Sequence, residues 1–99
     1  MAVVSHLTHA LNDIKDIVNY LADERQSIDA ALSFFDELDQ KSQQYSRQPA
    51  MGSPRNELLI GLRCFVVKKS YVVYYREIAN GIEILRVLHG SVDVERVFS

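Results

Sequence analysis

The sequence predicts an α+β fold in one domain: a helical hairpin packed on a small, largely antiparallel four-stranded sheet. Three observations carry this. Apolar residues recur at helical spacing through two runs of the N-terminal half, and after Ala50 the chain turns to short blocks of Val, Ile, Tyr and Phe. Asn80-Gly81 joins the last two blocks as a tight hairpin connection. At 99 residues, 47% hydrophobic and 24% charged, the chain has room for one core, so residues 1–99 are read as one unit.

The first helical run places Leu7, Leu11, Ile14, Val18 and Leu21 on one stripe with Ile17 beside it, while Asn12, Asp13, Lys15, Asp16 and Asn19 fill the other side. Thr8 is the candidate N-cap, and the preceding MAVVSHL reads as a short strand. After the polar break DERQ, Ser27 caps a second run with Asp29 in its first turn. Its stripe is Ile28, Ala31, Phe35, Leu38, Ser42 and Tyr45, and Pro49 ends it. So short a break makes the helices antiparallel and turns both stripes toward one surface, a sheet.

MGSPRNE reads as a loop, followed by strands over Leu62–Lys68, Tyr71–Ile78 and Ile82–His89. Asn80 and Gly81 tolerate the positive φ of a type I′ turn, which predicts the pairs Ala79–Ile82, Arg76–Leu85, Tyr75–Arg86 and Val72–His89. One face then carries Val72, Tyr74, Arg76, Leu85, Val87 and His89, and the other Val73, Tyr75, Ile82, Ile84, Arg86 and Leu88. Both are mostly apolar, so the hairpin is central and covered on each side. Helices cover one face; a partner or a flap of the chain must cover the other. The tail SVDVERVFS has Val94, Val97 and Phe98 at one-turn spacing, too short to hold a helix alone, and must lean on something.

Charge divides the chain: residues 1–50 hold four Lys/Arg against eight Asp/Glu, and residues 51–99 hold seven against five. From Gly61 to Arg76 the cations Arg63, Lys68, Lys69 and Arg76 meet no acid, so this stretch suits an anionic partner. The formal net charge of −2 argues against direct specific DNA binding and for a protein partner. The apolar runs are too short to cross a bilayer. No basic segment precedes the apolar N-terminus, so we expect no secretory leader and a cytoplasmic protein. The lone Cys64 lies in LRCFVV, where it acts as a small hydrophobe.

The sequence contains no phosphate-cradling Gly-rich loop, no Cys/His set at metal spacing and no Ser nucleophile elbow, so no cofactor or metal is expected. His6 and His9 are spaced for a metal clamp but lack further ligands. His89 is either a general acid or base or a strand-end ring bonded to a backbone carbonyl. Arg86 is read as structural, stacked on Tyr75, whereas Arg63 and Arg76 are read as contacts to a partner. Tyr71, Tyr74 and Tyr75 are either core or a stacking platform for bases.

The order helix, helix, RNELLIGLRCFVV, YVVYYRE, NGIEILRVLHG and DVERVF resembles the ParE branch of the RelE/ParE toxins of bacterial toxin–antitoxin modules. The most specific pieces are Arg55, Glu57-Leu58 and Gly61-Leu62-Arg63, then Tyr71 to Arg76, then Arg86 to Gly90 with Asp93 beyond. The resemblance implies a cognate antitoxin whose C-terminal segment wraps the toxin and fills its open apolar surface. It implies one of two activities: inhibition of DNA gyrase, or ribosome-dependent cleavage of mRNA as in RelE. The RelE pattern is largely missing, because Val72 stands where such chains place an arginine and His89-Gly90-Ser91 replaces a basic run. Loss of those cations removes the stabilisation a cleaved phosphodiester needs. We therefore expect a gyrase inhibitor neutralised by a ParD-like antitoxin, with no catalytic residue. If the chain is instead a nuclease, His89 and Arg76 carry the reaction; a non-toxic antitoxin-binding relative is the remaining alternative. Arg63, Arg76, His89, Val94, Val97 and Phe98 are the expected contacts to target or antitoxin.

Overall fold

The chain runs β1 (Val3–His6), α1 (Thr8–Asn19), a π-helical turn (Tyr20–Glu24), α2 (Ile28–Arg47), a 3-10 turn (Pro49–Met51), β2 (Ser53–Pro54), β3 (Arg63–Val67), β4 (Tyr71–Ile78), β5 (Gly81–His89) and α3 (Val94–Val97) in the computed structural model, which describes residues 1–24 and 26–99. Arg25, within the expected DERQ break, lies outside the described residues. The sheet order is β1-β5-β4-β3-β2, with β1 parallel to β5 and the other pairs antiparallel. The fifth strand is β2, inside the segment read as loop. There Ser53 pairs with Cys64 and Pro54 with Arg63, and proline is tolerated because β2 is an edge.

Helix boundaries follow local chemistry with one correction. Ser27 caps α2, its hydroxyl accepting the Ala30 N–H at 3.1 Å. Thr8 does not cap α1; it is the first helical residue, and Leu7 occupies the cap without a side-chain bond. Leu7 still belongs to the sheet, donating its N–H to the Ile84 carbonyl.

The buried stripes are narrower than the apolar ones. On α2 they pass through Ala31, Phe34, Leu38, Ser42 and Ser46, so Phe34, not Phe35, enters the core. Phe34 is fully buried edge-on to Tyr71, with Phe35 53% exposed. Ala10 is the buried residue of α1; Ile14, Ile17, Val18 and Leu21 pack partly, while Leu7 and Leu11 stay exposed.

The β4–β5 register also differs from expectation. Ile78 pairs with Gly81, Arg76 with Glu83 and Tyr75 with Ile84; a bulge at Leu85 then puts Tyr74 opposite Arg86, Val72 opposite Leu88 and Tyr71 opposite His89. Ala79 and Asn80 form the turn, and Asn80 lacks the positive φ of a type I′ turn. Gly81 is needed inside the strand, since a Cβ there would collide with the Val3 carbonyl of the neighbouring strand. The bulge moves the four residues after it, Arg86 to His89, to the other face. Val87 joins Val73, Tyr75, Ile82 and Ile84 beneath the helices, and Leu88 joins Tyr74 on the opposite face.

That opposite face is covered by the chain itself. Leu62, Tyr74 and Leu88 are buried there beneath Val94, Val97 and Phe98 of the tail, with Leu58, Val72 and Leu85 around them. Phe98 meets Tyr74 edge-on at 5.3 Å.

Candidate functional site

Asp13, assigned by periodicity to the solvent side of α1, instead straps that helix to the sheet. Its carboxylate accepts Arg86 Nε at 2.7 Å, Arg86 Nη2 at 2.9 Å and the Val87 N–H at 3.0 Å. The hydrogen bonds that Arg86 donates to the Asp13 carboxylate raise the Arg86 pKa above its ordinary value. Arg86 is thus structural, as expected, but its partner is Asp13 and not Tyr75.

The cations expected to converge on a partner are spread out. Arg63 Nη1 donates to the carbonyls of Ala50 at 3.1 Å and Gly52 at 2.7 Å, holding the 3-10 turn against β3. Arg76 pairs across the strands with Glu83 at 2.8 Å. Lys68 donates its N–H to Glu37 at 2.6 Å and its Nζ to Ser33 at 2.7 Å. That backbone bond is the main cause lowering the Glu37 pKa. The stretch without acids in sequence therefore meets two of them in space. His89 pairs with Tyr71, five residues before Arg76 on β4, which separates His89 and Arg76 by about 17 Å at the usual strand rise of roughly 3.3 Å.

His89 lies beside an open groove of about 800 Å³ between the helical hairpin and the β3–β4 turn, lined also by Asp16, Tyr20, Ser33, Lys68 and Tyr71. Its Nδ1 receives the Ser91 backbone N–H at 3.1 Å and lies 2.8 Å from the Ser91 hydroxyl. A backbone N–H can only donate, so Nδ1 carries the lone pair and the neutral ring holds its proton on Nε2. His89 offers a donor here and has no free basic nitrogen. Its partner is Ser91, where a backbone carbonyl was the expected one. Lys68 and Lys69 line the turn with φ of 53° and 61°, a conformation rare outside glycine.

Val94, Val97 and Phe98 do come together, on Tyr74. Arg55 lies over the same ring at 5.8 Å and bonds Glu57 at 2.8 Å. Burial pushes the Tyr74 and Cys64 pKa values up, which keeps the Cys64 thiol protonated and unreactive.

A second surface consists of residues that sequence reading, Leu32 apart, assigned to the core-facing stripes. Leu11, Ile28, Leu32 and Phe35 are 52%, 69%, 58% and 53% exposed on the helical hairpin. Leu11 and Phe35 flank a groove of about 260 Å³ reaching Val4 and His6 of β1. The available signal was the width of the apolar arc: Phe34 and Phe35 lie about 100° apart around α2, so turning one fully into the core leaves the other at the edge of the stripe. Among the described residues no helix is long and apolar enough to cross a membrane, and no three His, Cys, Asp or Glu side chains gather as a metal site.

The chain is thus a small α+β protein, a helical hairpin on a mainly antiparallel sheet with a short C-terminal tail folded over the far face. It belongs to the family described as the ParE toxin of the type II toxin–antitoxin system, parDE, which it matches over residues 7–94. It is 34% identical over 82 residues to Toxin ParE1 of Caulobacter vibrioides, covering 82% of this chain and 81% of that protein. A solved structure of the chromosomal ParDE system from P. aeruginosa superposes with a TM-score of 0.72 at 17% identity, over 90% of this chain and 96% of that one. The second likeness concerns the fold.

Proposed function

We propose that this ParE-family chain is a cytoplasmic toxin that arrests growth by inhibiting DNA gyrase and is neutralised by a ParD-like antitoxin. The observation that carries the choice of target is the separation of His89 from Arg76. Cleaving a phosphodiester takes an acid or base and a cation within reach of one phosphate, and these two lie at opposite ends of the β4–β5 hairpin, with Arg76 already paired to Glu83. An inhibitor needs only contact surfaces. Val94, Val97 and Phe98, with Arg63, Arg76 and His89 around the sheet, supply those for target and antitoxin.

The groove where His89, Tyr71 and Lys68 meet favours a second reading, mRNA cleavage on the ribosome. Against it stand the engaged Nδ1 of His89 and the Asp16 carboxylate in the same groove, which repels phosphate. The purified chain, added to gyrase and relaxed plasmid, should block supercoiling, and its induction in cells should raise the DNA-damage response with transcripts intact. Unimpeded supercoiling together with cleaved transcripts would reverse the choice.

A further inference from the structure

The loop between β2 and β3 is closed at its base and braced from within. The Arg55 N–H donates to the Leu62 carbonyl at 2.7 Å, Leu58 and Leu59 donate to the Arg55 carbonyl at 3.0 and 3.3 Å, and Leu62 donates to the Leu59 carbonyl at 2.9 Å. Asn56 Oδ1 accepts the Gly61 N–H at 2.8 Å across the tip. Gly61 has a φ of 86°, which glycine adopts at little cost, and there the chain turns back after Ile60.

Leu58, Leu59 and Ile60 follow one another in this loop and meet three different fates. Leu58 packs into the far-face cluster with Val94, Val97 and Phe98, Leu59 is half-exposed, and Ile60 is 91% exposed. A lone exposed apolar residue is ordinary. Ile60 differs because its backbone is already fixed, so a partner that buries it costs the loop little conformational freedom.

The loop and the tail meet on one ring: Arg55 lies over Tyr74 at 5.8 Å, and Phe98 meets the same ring edge-on at 5.3 Å. The tip thus extends the tail surface, on the face of the sheet away from the helical hairpin. Charge here is balanced, with Arg55, Arg63 and Arg96 against Glu57, Asp93 and Glu95, and Arg55 is already paired to Glu57. Such a surface attracts neither nucleic acid nor an anionic membrane. It fits a protein that offers an apolar pocket with a neutral rim.

We propose that Ile60 is the anchor by which the chain holds its target: the 55–62 loop inserts this side chain into an apolar pocket of gyrase, with the tail alongside. The proposal rests on the gyrase reading above and adds the residue that recognises the target, at a place separate from the hairpin.

The test is supercoiling of relaxed plasmid by purified gyrase, titrated with the full chain. Ile60→Asp should raise the half-inhibitory concentration about ten- to a hundredfold, the range expected when one large aliphatic side chain is no longer buried. Ile60→Leu should stay within about threefold. Both should keep the wild-type melting temperature and the wild-type affinity for the antitoxin of the module, since so exposed a side chain holds little of the fold. Ile60→Ser carries the same comparison should a charge at the tip disturb the loop. Asn56→Ala leaves Ile60 in place but loosens the tip, and should weaken inhibition about two- to tenfold. Inhibition by Ile60→Asp and Ile60→Ser equal to that of the wild type overturns the anchor and leaves the gyrase reading standing. A wild-type chain that does not slow supercoiling overturns both. An equal loss of antitoxin affinity assigns the loop to the antitoxin, and a wild-type dimer that Ile60→Asp dissociates assigns it to a second copy; either overturns the proposal.

Discussion

Asp13→Ala should be the most damaging single change on the outer helix. The carboxylate is 13% exposed and serves three donors, of which the Val87 N–H has no alternative: Val87 is 1% exposed, two residues beyond the extra residue Leu85. Leaving that donor unpaired costs about 1–3 kcal/mol. Arg86 is 26% exposed and can turn partly to water, so its loss adds only about 0.5–1 kcal/mol. The total is about 2–4 kcal/mol, a large part of the roughly 5–15 kcal/mol available to a domain. At about 4–8 °C per kcal/mol for this size, Tm should fall by about 8–32 °C in calorimetry or thermal circular dichroism. Asp13→Asn keeps an acceptor for Val87 and should lose about half as much. The reasoning fails if Asp13→Ala costs less than about 0.5 kcal/mol. It also fails if Arg86→Ala costs as much as Asp13→Ala, because the ion pair and not the backbone cap would then dominate.

Gly81→Ala should cost about 2 kcal/mol or more by driving β1 off β5, and amide exchange should show Val3 and Ser5 losing protection before the rest of the sheet. Burial holds the His6 pKa below its ordinary 6.5, so below about pH 6.5 the unfolded chain binds more protons than the folded one. Stability present above that pH should be lost as pH falls toward the folded pKa, and His6→Gln should flatten the slope in melts from pH 5 to 8. A chain ending at Ser91 uncovers Leu62, Tyr74 and Leu88 and should lose about 2–4 kcal/mol, since Val94, Val97 and Phe98 are half-buried and full burial is worth roughly 1.5–3 each. It should stay folded, bind antitoxin and lose toxicity. Growth arrest equal to that of the full chain would remove the tail from the target interface, and an unfolded product would make it core.

Periodicity alone located both helices and the three long strands, because a 3.6-residue and a 2-residue repeat are imposed by one large core. Failures lie where a single residue, not a repeat, decides. Gly81 was read as a turn glycine, whereas its missing Cβ admits the Val3 backbone, and that moved the hairpin register by two residues. The bulge at Leu85 then moved Arg86 to His89 to the other face, which no local signal announces. Asp13 looked solvated because helix position sets which side a residue is on, not whether a bulged strand offers it an N–H. Of the candidate site, the Val94–Val97–Phe98 cluster was legible as an apolar tail that had to lean on a surface. The separation of His89 from Arg76 depends on the cross-strand register, and so was hidden.

The tail changes where a partner has to bind. Two apolar sheet faces and one helical hairpin leave one face to be covered from outside, and sequence reading looked there for the antitoxin. In the folded chain that face already carries Val94, Val97 and Phe98, while the apolar surface left open lies on the hairpin, at Leu11, Ile28, Leu32 and Phe35. A large exposed patch on a small protein marks an interaction site, and here it continues through the groove to the unpaired edge of β1. An antitoxin seated on the hairpin and β1 and a target met by the tail would use different sides of the sheet. Neutralisation then requires the antitoxin either to reach around the β1 edge toward the tail or to block the target by bulk. These differ in one measurable respect: only the first makes antitoxin affinity depend on Phe98. Phe98→Ala should leave that affinity within about twofold if bulk alone is at work, and a loss of tenfold or more would place the antitoxin on both sides of the sheet.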